Sequence, residues 1–248
     1  MPFREATYAD ILPASHILAR AFKDDGFMGR YLHPHLDKYP CDLQKRYVRS
    51  LRAQWASMSS EEKLFVSYKP TPDGMGEECL TGVAGWTRRR AVAKPAGWST
   101  YAWKTAVSYV NMVDEYFNPD RAADPENHKI FEKLSPYNKH HWTGSRAEVW
   151  YLNVIGVDPA FEGQGIGREL VAWGFEQAKQ DGVGTSCIAA SGRDDFYRRC
   201  GFDVQDGISG DAGPDEELRK EVRSIGGGMV HFWDGGKQPV GVKKYGEA

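Results

Sequence analysis

Cysteine is scarce in this chain, and its four copies (Cys41, Cys79, Cys187 and Cys200) stand far apart with no C-x-x-C pair. That spacing excludes both the disulfide framework of a small secreted domain and the paired thiolates of a structural zinc site, so no metal is expected. Long apolar runs are missing too: none approaches the roughly 18 residues of a membrane-spanning helix. The opening Met1-Pro2-Phe3-Arg4-Glu5 has no apolar leader segment. Neither sign of charge dominates, with 32 Lys and Arg against 34 Asp and Glu and a formal net charge of −2. A nucleic-acid-binding face would need a basic excess. The one basic cluster, Thr87-Arg88-Arg89-Arg90, reads as a solvated strand end. These absences predict a cytoplasmic monomer or homodimer with no membrane and no nucleic-acid partner.

What is present suits a globular enzyme. Hydrophobic residues make up 41% of the 248 positions and charged residues 27%, enough to bury a core without staples. Phe3 to Ala6 reads as a short strand, followed by a capping-box-like Thr7 and Asp10 and a helix from about Ala9 to Lys23. A second helix is predicted from about Leu36 to Ser57, with Leu43, Tyr47, Leu51 and Trp55 on one face. Leu64–Lys69 and Cys79–Thr87 read as an antiparallel hairpin around Pro70-Thr71-Pro72-Asp73-Gly74. Residues 88–145 are aromatic-rich and partly helical, with no clear strand.

Regular patterning returns after residue 146. The run Ala147 to Val157 is β-rich, a glycine loop follows, and a helix spans about Gly165 to Gln180. Ser186–Ala190 reads as a strand, Asp194–Arg199 as a helix ended by Gly201, and Phe202–Gln205 and Met229–Trp233 as strands. Early antiparallel strands followed by strand–loop–helix–strand–helix–strand predict a mixed α/β sheet in one domain.

The segment Val157-Asp158-Pro159-Ala160-Phe161-Glu162-Gly163-Gln164-Gly165-Ile166-Gly167-Arg168 joins a strand to a helix through alternating glycines. Glycine lets consecutive N–H groups line one concave side, and the helix start adds unpaired donors and about half a positive charge. Such a loop can bind a pyrophosphate without a basic side chain. No Gly-Lys-Ser/Thr occurs here, which excludes a P-loop, and the third glycine of a dinucleotide fingerprint is replaced by Arg168.

This stretch resembles the signature of the GNAT N-acetyltransferase superfamily, Q/R-x-x-G-x-G/A after a strand ending in V-x-P. Gly165 and Gly167 match the small positions, and Glu162 stands where Gln or Arg is usual. About 30 residues on, Phe196-Tyr197-Arg198-Arg199-Cys200-Gly201-Phe202 matches the family's Y-x-x-x-G-F segment. The overall pattern is similar to that of fungal small-molecule members.

The resemblance implies a GNAT fold: a mixed, mostly antiparallel sheet with a central splayed strand pair, flanked by helices and carrying a helical insertion. Residues 1–87 would form the N-terminal part, residues 88–145 the insertion and possible acceptor-side lid, and residues 146–248 the acetyl-CoA-binding half. It also implies acetyl-CoA as co-substrate. Ile155, Gly156 and Val157 would pair with the pantetheine arm, and Glu162, Gly163, Gln164, Gly165, Ile166, Gly167 and Arg168 would wrap the pyrophosphate. Tyr197 would sit beside the sulfur as general acid, and Tyr151 and Asn153 would occupy acceptor-facing positions.

Such an acyltransferase must take a proton from an ammonium with pKa near 10.4 and give one to the leaving thiolate. Three sources of the base stay open: a water chain ordered by Tyr151 and Asn153, a carboxylate such as Asp24 or Asp25, or an acceptor of low pKa. Glu148 lies on the same strand, too far from the thioester. Residues 88–145 hold no acidic run to complement a basic peptide, so a small-molecule amine is the expected acceptor, ahead of a hydroxyl. A protein or peptide N-acetyltransferase and a non-catalytic acyl-CoA-binding module are the alternatives.

Overall fold

β-Branched and aromatic residues cluster where the sequence predicts strands, and the computed structural model assembles them into one open sheet of seven. The structure describes residues 2–70, 78–92, 97–211, 213–226 and 228–247. The strands are β1 (Phe3–Glu5), β2 (Glu62–Pro70), β3 (Glu78–Arg89), β4 (Val149–Val157), β5 (Gly184–Ile188), β6 (Val204–Ile208) and β7 (Met229–Trp233). Their order is β1-β2-β3-β4-β5-β7-β6, and among the described pairings β4 with β5 is the parallel one. The sheet is thus mixed and mostly antiparallel, as expected. The hairpin tip from Thr71 to Gly74 lies outside the described residues.

Helices cover both faces. On one side α1 (Ile11–Phe22) and α2 (Asp42–Ser57) bury Leu18, Leu43 and Leu51 against Leu64, Val66 and Val83 of the sheet. On the other, α6 (Ile166–Asp181) and α7 (Asp194–Cys200) pack Leu170, Val171, Phe175 and Tyr197 against Trp86, Trp150 and Leu152. Between these lie α3 (Trp98–Phe117), α4 (Pro125–His128) and α5 (Ile130–Asn138), and α8 (Glu216–Ser224) follows β6. Gly174 marks the closest approach of α6 to the sheet: an added Cβ would stand 2.2 Å from the Trp86 indole. Trp86 is fully buried and its Nε1 donates to the Leu170 carbonyl at 3.3 Å.

The local signals hold where they are strong. Thr7 and Asp10 form the reciprocal cap, with the Thr7 amide donating to Asp10 Oδ2 at 2.7 Å. Arg4 adds a fork to the same carboxylate at 2.7 and 3.0 Å. Two expectations shift. The second helix starts at Asp42, not near Leu36, because Pro40 disfavours helical backbone at Tyr39 and breaks the pattern before it begins. The strand expected at Phe202–Gln205 runs Val204–Ile208, since Phe202 instead packs into the core just past the Gly201 helix stop. Two elements carry no expectation: a π-helical turn, Gly26–Tyr31, and α8. α8 is short, yet Asp215 caps it through the Leu218 amide at 2.9 Å, and Leu218 and Val222 bury one turn apart.

Candidate active site

Strand β4 is paired unequally on its two edges. Toward β3 it stays in register to Val157, which faces Gly82. Toward β5 pairing stops at Leu152 and Cys187. Beyond that point β5 leads toward β7, with the Ala189 amide donating to the Met229 carbonyl at 2.8 Å. The β5-side edge of residues 153–157 therefore faces no strand. The cause is visible in the register: Gly85 pairs with Val154 and Trp86 with Leu152, leaving Asn153 as the extra residue of a bulge. A buried, unpaired strand edge is costly unless something else supplies its hydrogen bonds.

The glycine loop opens at the far end of this edge. Asp158 caps the 3₁₀ turn Pro159–Phe161 through the Ala160 amide at 3.1 Å and is held by Arg20 of α1. Gly163 and Gly165 have φ of +76° and +82°, and at neither would a Cβ meet any atom within 4 Å. Only glycine adopts that backbone cheaply, and the side it leaves clear is where an anion could approach. Gly167 differs from its neighbours. It lies within α6 with an ordinary φ, and an added Cβ would stand 3.0 Å from the Phe196 ring. Its smallness serves α6–α7 packing. Glu162 and Arg168 are both exposed, and Ile166 is buried under the loop. Lys69, at the end of β2, donates to Gln164 and rests over the Phe161 ring at 5.1 Å. Lys69 has no sequence signal as a loop partner, because it lies almost a hundred residues away.

Tyr197, Tyr151 and Asn153 come together on the walls of one cavity of about 310 Å³, which also takes in Ile155. Tyr197 is fixed by ring contacts with Phe196 at 5.1 Å, Phe202 at 5.7 Å and His231 at 5.5 Å. Burial, reinforced by Cys187 and Cys200 nearby, pushes its pKa well above the ordinary value of 10. Tyr151 is half-buried, and desolvation raises it to about 12 against the opposing field of Arg89. Both phenols are neutral at physiological pH. Asn153 is exposed and donates to Thr87 Oγ1 at 2.6 Å.

The carboxylates separate cleanly. Glu148 pairs with Arg88 at 2.8 Å and does not line the cavity. Asp24 is exposed and stands 3.8 Å from Arg30. Asp25 does line the cavity, and its Oδ1 accepts from the Phe27 and Met28 amides at 3.1 and 2.6 Å. The remaining wall comes from distant segments: the π-helical turn, Phe131 and Leu134 of α5, and Val222 of α8. A satellite core of Leu32, Ile130, Leu134, Leu218 and Val222 holds these pieces together. Residues 88–145 thus split in two. α5 joins the cavity wall, whereas α3 packs along α2, with Trp103 edge-on to Trp55 at 6.0 Å.

Residues 131–204, which include both glycine-containing motifs, match the family described as acetyltransferase (GNAT) domain. A curated mycothiol acetyltransferase of Rhodococcus erythropolis is 34% identical over 73 residues, 25% of this chain and 24% of that protein. A crystal structure described as histone acetyltransferase HPA2 and related acetyltransferase, from Corynebacterium glutamicum, aligns over 96% of this chain and 97% of its own. Its TM-score is 0.53 at 19% sequence identity, a likeness of fold. Splayed strand, glycine loop and family match coincide on the same residues, and over residues 131–204 the chain is similar to GNAT acetyltransferase domains.

Proposed function

We propose that the chain transfers an acetyl group from acetyl-CoA to an amine of a small-molecule acceptor. The observation that carries this reading is that the unpaired edge of β4 and Tyr197 face one cavity, while the glycine loop opens at the far end of that same edge.

The residues present fit acetyl-CoA. The free edge at Ile155, Gly156 and Val157 offers backbone groups to the amides of a pantetheine arm. Gly163, Gln164, Gly165, Ile166 and Gly167 offer N–H groups and a helix start to a pyrophosphate. Arg168 and Lys69 add positive charge that offsets Glu162. When bound, acetyl-CoA supplies an activated acyl carbon and a thiol leaving group.

This chain's own groups then have separate tasks. Tyr197 Oη keeps its proton at neutral pH and can hand it to the departing sulfur. The burial that raises the phenol pKa also raises that of a thiolate in the same apolar place, so the gap between the two grows less than the phenol shift alone implies. Tyr151 and Asn153 order the acceptor side. Overall, an ammonium acceptor loses two protons, one ending on the thiol and one in solvent. A walled cavity of 310 Å³ suits a small molecule better than an extended peptide, and α5 serves as its acceptor-side wall.

Calorimetric titration with acetyl-CoA, followed by thiol release across a panel of amines and alcohols, tests the reading. At about 100 times its dissociation constant, acetyl-CoA should stabilise the protein by about 2.7 kcal/mol, and amines should outpace alcohols of the same shape. Absence of acetyl-CoA binding overturns it.

A further inference from the structure

The cavity wall is mostly apolar, and Asp25 is the one charged side chain among its described lining residues. Both hydrogen bonds to Asp25 enter Oδ1, so Oδ2 has no protein donor among the described residues. The same cavity is lined by Tyr47, 4% exposed, whose hydroxyl is buried without a hydrogen-bond partner among the described residues. The two are close enough that the Asp25 charge acts on the Tyr47 phenol, whose pKa burial already pushes up.

Asn138, Ser209 and Asn153 of the same lining do not share this unmet demand. Asn138 Oδ1 accepts from Ser209 Oγ at 3.0 Å and the Gly210 amide at 2.8 Å. Asn153 is engaged by Thr87. A buried hydroxyl without a partner loses its hydration uncompensated, so such a group in a native fold calls for an occupant.

We propose that Asp25 and Tyr47 form the ammonium-receiving end of the acceptor site, and that the acceptor is a primary amine on an apolar or aromatic body. The assignment rests on the amine-acetylation reading above and names the substrate class of that site. An ammonium has three donors; one can go to Asp25 Oδ2 and another to Tyr47 Oη. The body of the acceptor then lies against Phe22, Phe27, Phe131 and Leu134. A hydroxyl-rich aminosugar or a polyamine would leave polar groups against these walls without partners, which selects against them. A neutral isostere would leave the carboxylate and the phenol as they are now.

The test uses the full chain with acetyl-CoA and five probes: 2-phenylethylamine, hexylamine, spermidine, glucosamine and the neutral 2-phenylethanol. Wild type should favour the two apolar amines by about tenfold or more in kcat/KM over the polyamine and the aminosugar. Asp25→Asn keeps the Oδ1 acceptor that caps the π-helical turn, so it removes charge without removing the cap. It should raise the KM for hexylamine by about tenfold or more, with acetyl-CoA affinity within about threefold of wild type. Tyr47→Phe should raise that KM by about threefold.

A preference for spermidine or glucosamine, or an unchanged hexylamine KM in folded Asp25→Asn, overturns the proposal while leaving amine acetylation intact. Acetyl-CoA binding with no transfer to any amine overturns the amine reading and this assignment together.

Discussion

The two walls of the cavity are built in different ways. The wall assigned to acetyl-CoA is nearly continuous in sequence: β4, the end of β5 and Tyr197 line it, and the glycine loop and α6 continue from the end of β4. The opposite wall is assembled from the end of α1, a π-helical turn, α2, α5 and α8, spread from Phe22 to Ile225. The first is specified by short-range backbone requirements, which few sequences can satisfy. The second is specified by the packing of a satellite core, which many apolar sequences can satisfy. The proposed chemistry thus falls on the wall that tolerates little change, and the proposed selectivity on the wall that tolerates much.

The comparison breaks most visibly at Tyr197. Tyr197→Phe keeps the ring contacts and removes the hydroxyl, and turnover should fall by about 10 to 10³ with acetyl-CoA affinity changed less than about threefold. Because burial holds the Tyr197 pKa well above 10, the wild-type rate should show no alkaline fall from this group below that pH. Turnover within about twofold of wild type would return Tyr197 to the hydrophobic core.

The next largest effect belongs to the loop. Gly165→Val forces a β-branched residue into φ +82°, so acetyl-CoA affinity measured by calorimetry should drop by about tenfold or more. Normal affinity in that variant would place the pyrophosphate elsewhere.

On the acceptor side the sharpest test is pH. Asp42, at the start of α2, accepts from the Arg121 amide and guanidinium at 2.9 and 3.0 Å and pairs with Lys45 at 2.7 Å. These partners outweigh the opposing effect of burial and lower its pKa from 3.8 to about 2. Stability from this group is present above the unfolded pKa and is lost as pH falls through the folded one. Asp42→Asn should therefore cost about 1–3 kcal/mol near neutrality, and the gap in denaturant midpoints should close between pH 4 and 2.

The smallest effect separates two glycines that look alike in sequence. Gly167→Ala gains helix propensity but presses on Phe196, so stability should change by about 1 kcal/mol or less. Acetyl-CoA affinity should move less than about threefold, in contrast to Gly165→Val.

These contrasts follow what could be read before the fold was known. The glycine loop and the Tyr197 segment stand out because their constraint is local: a left-handed backbone at Gly165 or a helix stop at Gly201 leaves a mark on the residue itself. The strand order follows from alternation and turn chemistry. Asp25 leaves no such mark, since beside Asp24 it reads as one of two carboxylates at a helix end. Its distinction arises only when Tyr47 and α5 close around it. Lys69, Phe131 and Val222 are equally silent, each an ordinary residue of its own element. The π-helical turn escapes because Gly26 and Gly29 depress helix propensity, while the capping bonds from Asp25 that offset this are a tertiary outcome.

Trp86 couples two distances in the fold. Its backbone stands beside the bulge that frees the edge of β4, and its indole is the surface on which Gly174 seats α6. A side chain at position 174 would lift the helix or expel the indole, and either movement would alter the span between the glycine loop and the strand opening. That span is a fixed gauge for the length of the molecule laid along it. The pantetheine arm is common to every acyl-CoA, so a side chain at position 174 should weaken all acyl-CoA donors alike and leave the choice of acyl chain unchanged.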